Sequence, residues 1–132
     1  MNKKLVEVVA AVIENENNEI LCALRSPIMT LPNMWEFPGG KVEEGESLYM
    51  AIEREIKEEL KCSIKAIEVI GENRHEYEKI IVNLTAIKCN LVEGEPVADE
   101  HSKLIYLNKE NLESLVWAPA DIPLVKKVIN IK

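Results

Sequence analysis

Three glutamates on one predicted helix carry the clearest chemical signal in the sequence. Glu55, Glu58 and Glu59 lie within the segment 48–60, and at about 100° per residue their spacing places them on one face. Like charges at spacings of three and four repel by a few tenths of a kcal/mol per pair. A hard divalent cation relieves this repulsion because it prefers oxygen ligands. On spacing alone, a solvated acidic face is still the commoner interpretation.

A glycine-rich segment upstream of this helix adds groups that suit a phosphate. Gly39, Gly40 and Lys41 follow one another. Glycines allow the backbone to approach a ligand closely, and a lysine neutralises phosphate. Alone, this tripeptide is a weak signal, and a simple turn is the better interpretation. Arg54 stands directly before Glu55 and can hold a neighbouring glutamate in place.

The elements that position these residues follow from the pattern of apolar residues. Strands are predicted where apolar and β-branched residues run or alternate, and helices where they recur every three or four residues. The predicted strands are 5–13, 19–24, 63–69, 79–89 and 103–107, with a loop over 26–34 and short extended structure over 35–40. The predicted helices are 48–60, a short one over 108–115, and a last helix that places Ile122, Val125, Val128 and Ile129 on one face. Tyr49, Ile52, Ile56 and Leu60 are expected to form the apolar stripe of the central helix. Strands on both sides of a helix favour a mixed sheet between helical layers.

The segment from the glycines to the acidic helix resembles the motif of the Nudix hydrolase family. That motif is Gly-x5-Glu-x7-Arg-Glu-U-x-Glu-Glu-x-Gly-U, where U is a bulky aliphatic residue. The sequence reads Gly40-x5-Glu46-x7-Arg54-Glu55-Ile56-x-Glu58-Glu59 and matches at every polar position. At the end, Lys61 replaces the glycine and Cys62 the last aliphatic residue. A lysine in the left-handed conformation costs about 1 kcal/mol, so we expect an altered helix exit but an intact metal site.

The resemblance extends over nearly the whole chain to the MutT-type nucleotide-pool enzymes. It is similar in particular to the bacterial CTP pyrophosphohydrolase and 8-oxo-dGTP diphosphatase branch. The cues are Arg25 after the second strand, Trp-Glu-Phe-Pro-Gly-Gly-Lys at 35–41, Glu100 before the strand 103–107, and Trp-Ala-Pro-Ala-Asp-Ile-Pro at 117–123. The resemblance implies a single Nudix domain over residues 1–132, an α/β (α+β) fold with a mixed β-sheet sandwiched between helices.

The same resemblance implies a metal site and a reaction. Glu55, Glu58 and Glu59, with the carbonyl of Gly39, are expected to bind Mg²⁺ or Mn²⁺, while Arg54 supports the catalytic glutamates. The expected products are a nucleoside monophosphate and pyrophosphate. Glu100 matches a loop glutamate that these enzymes use as a metal ligand or a base, although an ordinary exposed acid is an equal alternative.

The substrate-binding residues are also implied by the resemblance. Arg25, Gly40 and Lys41 are expected to contact the phosphates, with a plain ion pair as the alternative for Arg25. Phe37 is expected near the base, where stacking suits any base. Trp35 shares this expectation, but core packing explains it at least as well. The two histidines, His75 and His101, are interpreted as surface or structural residues because nothing pairs them as ligands.

Asp121 bears on the choice of base. At this position the guanine-oxidation enzymes of the MutT type carry an asparagine, which offers a donor and an acceptor, whereas an ionised aspartate only accepts. Accepting suits the exocyclic amine of cytosine, which favours CTP, dCTP or a modified cytosine nucleotide. Two alternatives remain: Asp121 caps the final helix, or a protonated Asp121 reads 8-oxoguanine.

Composition narrows the partners. The formal net charge of −7 disfavours a DNA or RNA backbone as a ligand, so the expected partner is a small nucleotide. Three separated cysteines suggest buried thiols in a reducing compartment, and no apolar run approaches the ~20 residues of a membrane span. We therefore expect a cytoplasmic enzyme, as a monomer or homodimer. The alternatives are an 8-oxo-dGTP diphosphatase and, from another class, a catalytically silent nucleotide-binding module.

Overall fold

The computed structural model describes residues 3–131 and contains, within them, a seven-stranded mixed sheet with an α-helix on each face. The strands are β1 (Lys4–Glu14), β2 (Glu19–Leu24), β3 (Trp35–Glu36), β4 (Gly39–Lys41), β5 (Ser63–Glu76), β6 (Ile80–Glu93) and β7 (Lys103–Asn108). The α-helices are α1 (Leu48–Leu60) and α2 (Ile122–Ile129), and short 3₁₀ helices span Lys109–Ser114 and Pro119–Asp121. Residues 1, 2 and 132 of the predicted 1–132 domain lie outside the described residues.

One parallel pair makes the sheet mixed. The main strand order is β3-β2-β1-β6-β5, while β4 pairs with β1 and β7 with β2. Strand β1 runs parallel to β6 from Lys4 opposite Ile80 to Glu14 opposite Asn90, and the other pairs are antiparallel. The predicted mixed sheet is confirmed.

Alternation along β1 divides the core into two layers. Val9, Ala11 and Ile13 pack in the cluster that contains α1, whereas Ala10 and Val12 pack in the cluster that contains α2. Successive side chains of a strand point to opposite faces of the sheet, so an apolar run such as this one is buried on both sides. The sheet therefore lies between helices, as the sequence predicts.

Helix α1 begins and ends with recognisable caps. The Ser47 side chain accepts a hydrogen bond from the Met50 backbone N–H at 3.1 Å, a standard N-cap. At the other end Lys61 adopts the left-handed conformation with φ 58° and ψ 30°, and its Nζ donates to the Glu58 carbonyl at 2.8 Å. The expectation of an altered helix exit is therefore wrong, because lysine takes the conformation that the motif glycine would take.

The buried face of α1 differs from the predicted stripe at one position. Ala51, Ile52, Ile56 and Leu60 are buried, but Tyr49 is 38% exposed. Its hydroxyl donates to the Ile67 carbonyl at 3.2 Å. Tyr49 thus contacts the first half of β5 and does not enter the core.

Three other elements differ from the sequence-based prediction. Strand β5 continues to Glu76, so the predicted polar connection after residue 69 is strand and only 77–79 separates β5 from β6. The predicted helix at 108–115 is a 3₁₀ helix. Helix α2 buries Leu124, Val125 and Val128, while Ile122 is 43% exposed. The preceding 3₁₀ helix shifts the buried face of α2 relative to the simple helical pattern.

The three cysteines agree with the expectation of buried thiols. Cys22, Cys62 and Cys89 are buried free thiols, and burial raises the pKa of Cys22 and of Cys89 to about 12. From residue 3 to residue 131, no helix combines the length and the apolar character needed to span a bilayer.

Candidate active site

Arg54 organises the acidic face of α1. Its guanidinium binds both carboxylate oxygens of Glu46, with distances of 2.6 Å from Nε and 2.9 Å from Nη2. Its Nη1 donates to Glu55 at 2.8 Å and to Glu58 at 3.0 Å, and Nη2 also reaches the Lys41 carbonyl at 3.0 Å. A planar guanidinium suits such bidentate contacts. Arg54 therefore joins the loop before α1, the helix and β4 at one point, as the predicted supporting role requires.

Glu59 is the most constrained acid of the predicted metal site. Its Oε1 is buried and has no hydrogen-bond partner among residues 3–131. Burial, followed by the nearby charges of Glu55, Glu36 and Glu100, raises the pKa of Glu59 to about 8. An unpaired buried carboxylate oxygen is costly unless something else binds it. The position of Glu59 is thus the kind that a cation stabilises.

The two glycines before Lys41 make room for different groups. A Cβ on Gly39 would lie 1.9 Å from the Val9 carbonyl oxygen, which belongs to β1. A Cβ on Gly40 would lie 2.0 Å from Glu55 Oε2. Gly39 is therefore required for the β1–β4 contact, and Gly40 for the placement of the Glu55 carboxylate beside β4.

The carboxylate and carbonyl oxygens of this region are ligands that a hard divalent cation prefers, but the carboxylates do not converge on one point. Within residues 3–131, no three His, Cys, Asp or Glu side chains are arranged as a ready metal-binding group. Arg54 holds one oxygen each of Glu55 and Glu58, which turns these carboxylates toward the guanidinium. The Glu58 side chain is 62% exposed, so it is free to reorient. The metal-ligand role of Glu55, Glu58, Glu59, Gly39 and Glu100 stays a prediction.

A cavity of about 780 Å³ is lined by Glu59, the one acid of the predicted metal site in its wall. Gly39, Gly40 and Lys41 also line it, as do Phe37, Ala120 and Asp121. Ligand pockets in proteins commonly have volumes of ≈ 300–1,000 Å³ and mostly apolar walls with a few polar groups. Residues predicted to contact the phosphates and residues predicted to lie near the base thus line the same cavity.

Asp121, the residue predicted to bear on the choice of base, lines the cavity and contacts a residue that is distant in sequence. Its Oδ2 accepts a hydrogen bond from the Phe37 backbone N–H at 3.0 Å, and its side chain does not cap α2. The capping alternative is therefore wrong. Asp121 is 5% exposed, and burial, with a further contribution from Glu36, raises its pKa to about 8. At neutral pH the neutral carboxyl form dominates, contrary to the ionised aspartate assumed in the cytosine argument.

The aromatic residues of the 35–41 segment have different surroundings. Phe37 lines the cavity, although it is only 3% exposed, and its ring packs against Trp117 with a centroid distance of 4.8 Å. Trp35 pairs with Trp117 through the backbone and packs against the α2-side core. Trp35 is thus a packing residue, the alternative that the sequence left open.

Arg25 is held in the cavity wall by an ion pair. Its Nη1 donates to Glu36 Oε1 at 2.7 Å, and the two side chains are 19% and 18% exposed. The other Glu36 oxygen lies 2.8 Å from Nε2 of the buried His101. Arg25 and Lys41 both line the cavity, and their phosphate contacts remain predictions.

Sequence reasoning gave no site role to Glu36 or Tyr77 and interpreted His101 as a surface or structural residue, whereas all three line the cavity. The Tyr77 hydroxyl accepts from the Ala120 backbone N–H at 3.1 Å and so fixes the segment that carries Asp121. A usable signal was the charged Glu36 between two aromatic residues of a short strand. Nothing in the sequence indicated the contacts of His101 or Tyr77, which depend on how distant segments meet.

The mixed sheet between helices, with a glycine-containing strand against an acidic helix, agrees with the expected Nudix-type hydrolase domain. The sequence model of the NUDIX domain family matches residues 4–128. The chain belongs to this family, and it is a Nudix hydrolase.

Relatives with known names lie in the branch that the sequence predicted. The CTP pyrophosphohydrolase of Escherichia coli (strain K12) is 36% identical over 129 residues, which cover 98% of this chain and 95% of that protein. An 8-oxo-dGTP diphosphatase of Haemophilus influenzae is 29% identical over 130 residues, covering 98% and 96%. The solution NMR structure of MutT, a Nudix-family hydrolase from methicillin-resistant Staphylococcus aureus 252, is 47% identical, with a TM-score of 0.79 and coverage of 97% of this chain and 98% of that chain. The predicted resemblance to MutT-type enzymes is confirmed.

Proposed function

We propose that this protein is a nucleoside triphosphate pyrophosphohydrolase that requires Mg²⁺ or Mn²⁺ and releases a nucleoside monophosphate and pyrophosphate. The observation that carries the proposal is the cavity that Glu59 and the glycines share with Phe37 and Asp121. A nucleotide that spans this cavity would place its phosphates beside the acidic helix and its base beside Asp121.

Glu55, Glu58 and Glu59 would hold the cation, with the Gly39 carbonyl and Glu100 as further oxygen ligands. When bound, the cation neutralises phosphate charge and supplies an activated water. Arg54 keeps Glu55 in place through its contact with Glu46. The net negative charge of the protein favours a bound cation at this site, because only a local positive group can attract a triphosphate to an acidic surface.

The phosphates would also meet cationic side chains and backbone. Lys41 is exposed and lines the cavity next to Gly40. Its ammonium group can therefore bind a phosphate without first breaking a buried contact. Arg25 uses three of its N–H groups on Glu36 and Thr30, and a guanidinium has five. Its two remaining N–H groups are available for a phosphate oxygen.

For the base we favour a cytosine nucleotide, CTP, dCTP or a modified form. The similarity to the E. coli CTP pyrophosphohydrolase over 98% of the chain supports this preference. In the ionised state Asp121 accepts a hydrogen bond, which suits the exocyclic amine of cytosine. Because the free protein holds Asp121 neutral up to about pH 8, binding of cytosine must itself favour the ionised carboxylate.

The raised pKa of Asp121 is the specific observation that supports a second substrate, 8-oxo-dGTP. A neutral carboxyl group donates one hydrogen bond and accepts another. It therefore imitates the asparagine that the resemblance places at this position in guanine-oxidation enzymes. The two candidates predict opposite effects of pH: the KM for a cytosine nucleotide falls as the pH rises through about 8, whereas the KM for 8-oxo-dGTP rises.

The test is pyrophosphate release from a panel of nucleotides, with and without Mg²⁺. The panel contains CTP, dCTP, 5-methyl-dCTP, 8-oxo-dGTP, dGTP, ADP-ribose and a dinucleoside polyphosphate. Mg²⁺-dependent release from a cytosine nucleotide supports the proposal, and preference for 8-oxo-dGTP replaces the substrate but keeps the reaction. If no nucleotide were cleaved, a catalytically silent nucleotide-binding module would become the favoured alternative.

Glu58→Gln tests the metal site directly, with Glu53→Gln as its matched control. Glu58 is mostly exposed, so its replacement should abolish turnover without affecting folding. Glu53 lies on the same helix, and its carboxylate accepts from the Ala66 N–H at 2.9 Å. Glutamine keeps an acceptor oxygen for that contact, and activity should be retained. Full activity of Glu58→Gln would contradict the assigned metal site.

The cellular setting belongs to the same proposal. We place the enzyme in the cytoplasm, where nucleotides and Mg²⁺ are available and buried thiols stay reduced. It would act on a small nucleotide as a monomer or homodimer, without binding a nucleic acid polymer or a membrane. Size-exclusion chromatography with light scattering distinguishes the two oligomeric states.

A further inference from the structure

His101 occupies an unusual position for a residue that follows an exposed loop. It is 5% exposed, and it stands two residues before β7, where the Ser102 backbone N–H donates to the Leu24 carbonyl at 2.9 Å. The imidazole Nε2 lies 2.8 Å from Glu36 Oε2. The other ring nitrogen, Nδ1, is buried and has no partner in the described part of the chain.

The partners of Glu36 determine the role of each ring nitrogen. Arg25 Nη1 donates to Glu36 Oε1 at 2.7 Å, so the carboxylate is paired as an anion and its second oxygen also acts as an acceptor. Nε2 of His101 must therefore carry the proton and donate to it. Nδ1 is buried without a partner in the described residues, an arrangement that normally costs stability. Such a cost is consistent with a ring kept for its Nε2–H donor.

Arg25 transmits this contact to the loop 26–34. Its Nε donates to the Thr30 carbonyl at 2.6 Å, and Nη2 donates to the Thr30 hydroxyl at 3.0 Å. Met29, Thr30 and Leu31 form part of the cavity wall. The backbone closes the loop at its base, because the Arg25 N–H donates to the Met34 carbonyl and the Asn33 N–H to the Arg25 carbonyl. A continuous series of hydrogen bonds thus joins a buried imidazole to the tip of this loop.

We propose that His101 is a positioning residue, which fixes Glu36 and, through Glu36 and Arg25, holds the loop 26–34 as a wall of the substrate cavity. The kinetic part of this inference rests on the proposed function, because it assumes that the cavity binds the nucleotide. The structural part does not depend on any activity.

Two substitutions at His101 separate donation from space filling. His101→Phe keeps an aromatic ring of similar size but removes the donor, and His101→Gln supplies an amide N–H that can donate to Glu36. Amide hydrogen exchange of a peptide covering residues 25–34 reports the opening of the loop. A peptide from β6 serves as the internal control, and steady-state kinetics with the best nucleotide of the panel gives KM and kcat.

In His101→Phe we expect exchange in the 25–34 peptide to accelerate about tenfold, because a hydrogen bond to a charged group is lost. Exchange in β6 should stay unchanged, KM should rise about tenfold, and kcat should change by less than KM. His101→Gln should restore most of both effects. If the exchange rate of the loop in His101→Phe equals that of the wild type, the positioning role is refuted, whatever happens to activity.

A second variant covers the case in which His101→Phe does not fold. Glu36→Gln keeps the shape of the side chain but weakens the contacts with Arg25 and with His101 together. It should accelerate exchange in the same peptide, and unchanged exchange would overturn the proposal. If the loop opens in these variants but no nucleotide is hydrolysed by the wild type, the positioning role stands and only the proposed function fails.

Discussion

The buried carboxyl of Asp121 makes a measurable prediction about stability. Its pKa is about 8 in the folded protein and about 4 in an unfolded chain. Between these values the folded state holds a proton that the unfolded state has released. The free energy of unfolding therefore decreases as the pH rises through this window, and the contribution of the neutral carboxyl is lost above about pH 8.

The size of the effect follows from linkage. One proton difference changes the free energy of unfolding by about 1.4 kcal/mol per pH unit, or about 3 kcal/mol between pH 5 and pH 7. Asp121→Asn removes the titration but keeps an oxygen that can accept from the Phe37 N–H. Relative to the wild type, the variant should thus gain about 3 kcal/mol over this range. Urea unfolding at pH 5, 6 and 7 measures the difference.

A matched control separates this effect from a change in net charge. Asp99→Asn removes a carboxyl that is 55% exposed, and its stability should follow the wild-type pH dependence more closely than that of Asp121→Asn does. Curves of stability against pH that run parallel for wild type and Asp121→Asn would refute the neutral buried carboxyl. They would also remove the main support for 8-oxo-dGTP as a substrate.

Three further substitutions test other contacts. Arg54→Lys loses the bidentate contact with Glu46, so the Mg²⁺ concentration for half-maximal activity should rise about tenfold; an unchanged Mg²⁺ titration would contradict the supporting role. Gly40→Ala places a methyl group on the Glu55 carboxylate, and activity should fall much more than the melting temperature does, whereas a parallel loss of both would indicate general misfolding. Lys61→Gly relieves a left-handed lysine and should stabilise the protein by about 1 kcal/mol in urea unfolding; a destabilised variant would show that the contact of Lys61 with the Glu58 carbonyl outweighs the strain.

The elements that were predicted well from the sequence are those determined by patterns among neighbouring residues. Strand β1 is identified by an apolar run, and α1 by apolar residues at helical spacing over residues 48–60. The second half of β5 was missed because it is an edge strand with many exposed polar residues, such as Glu72 and Glu76. Its structure comes from backbone pairing with β6, which leaves no apolar pattern in the sequence.

The candidate site likewise contains residues that local spacing identified and contacts that it could not identify. The acidic residues of α1 and the two glycines occur at fixed spacings, so the resemblance to the Nudix motif located them together. The Asp121–Phe37 contact joins residues 84 positions apart, and the Glu36–His101 contact joins residues 65 apart. No local pattern encodes such contacts, and the protonation state of Asp121 depends on burial that only the assembled fold provides.

The parallel pairing of β1 with β6 also has a consequence for how the chain is made. Lys4 and its neighbours meet partners that begin at Ile80, so the centre of the sheet cannot form until most of the protein has left the ribosome. Contacts between such distant segments slow folding because a long loop must close first. Until then the apolar run of β1 stays uncovered and open to association with other nascent chains. Biogenesis of this small enzyme should therefore depend on chaperones that shield its N-terminal segment during translation.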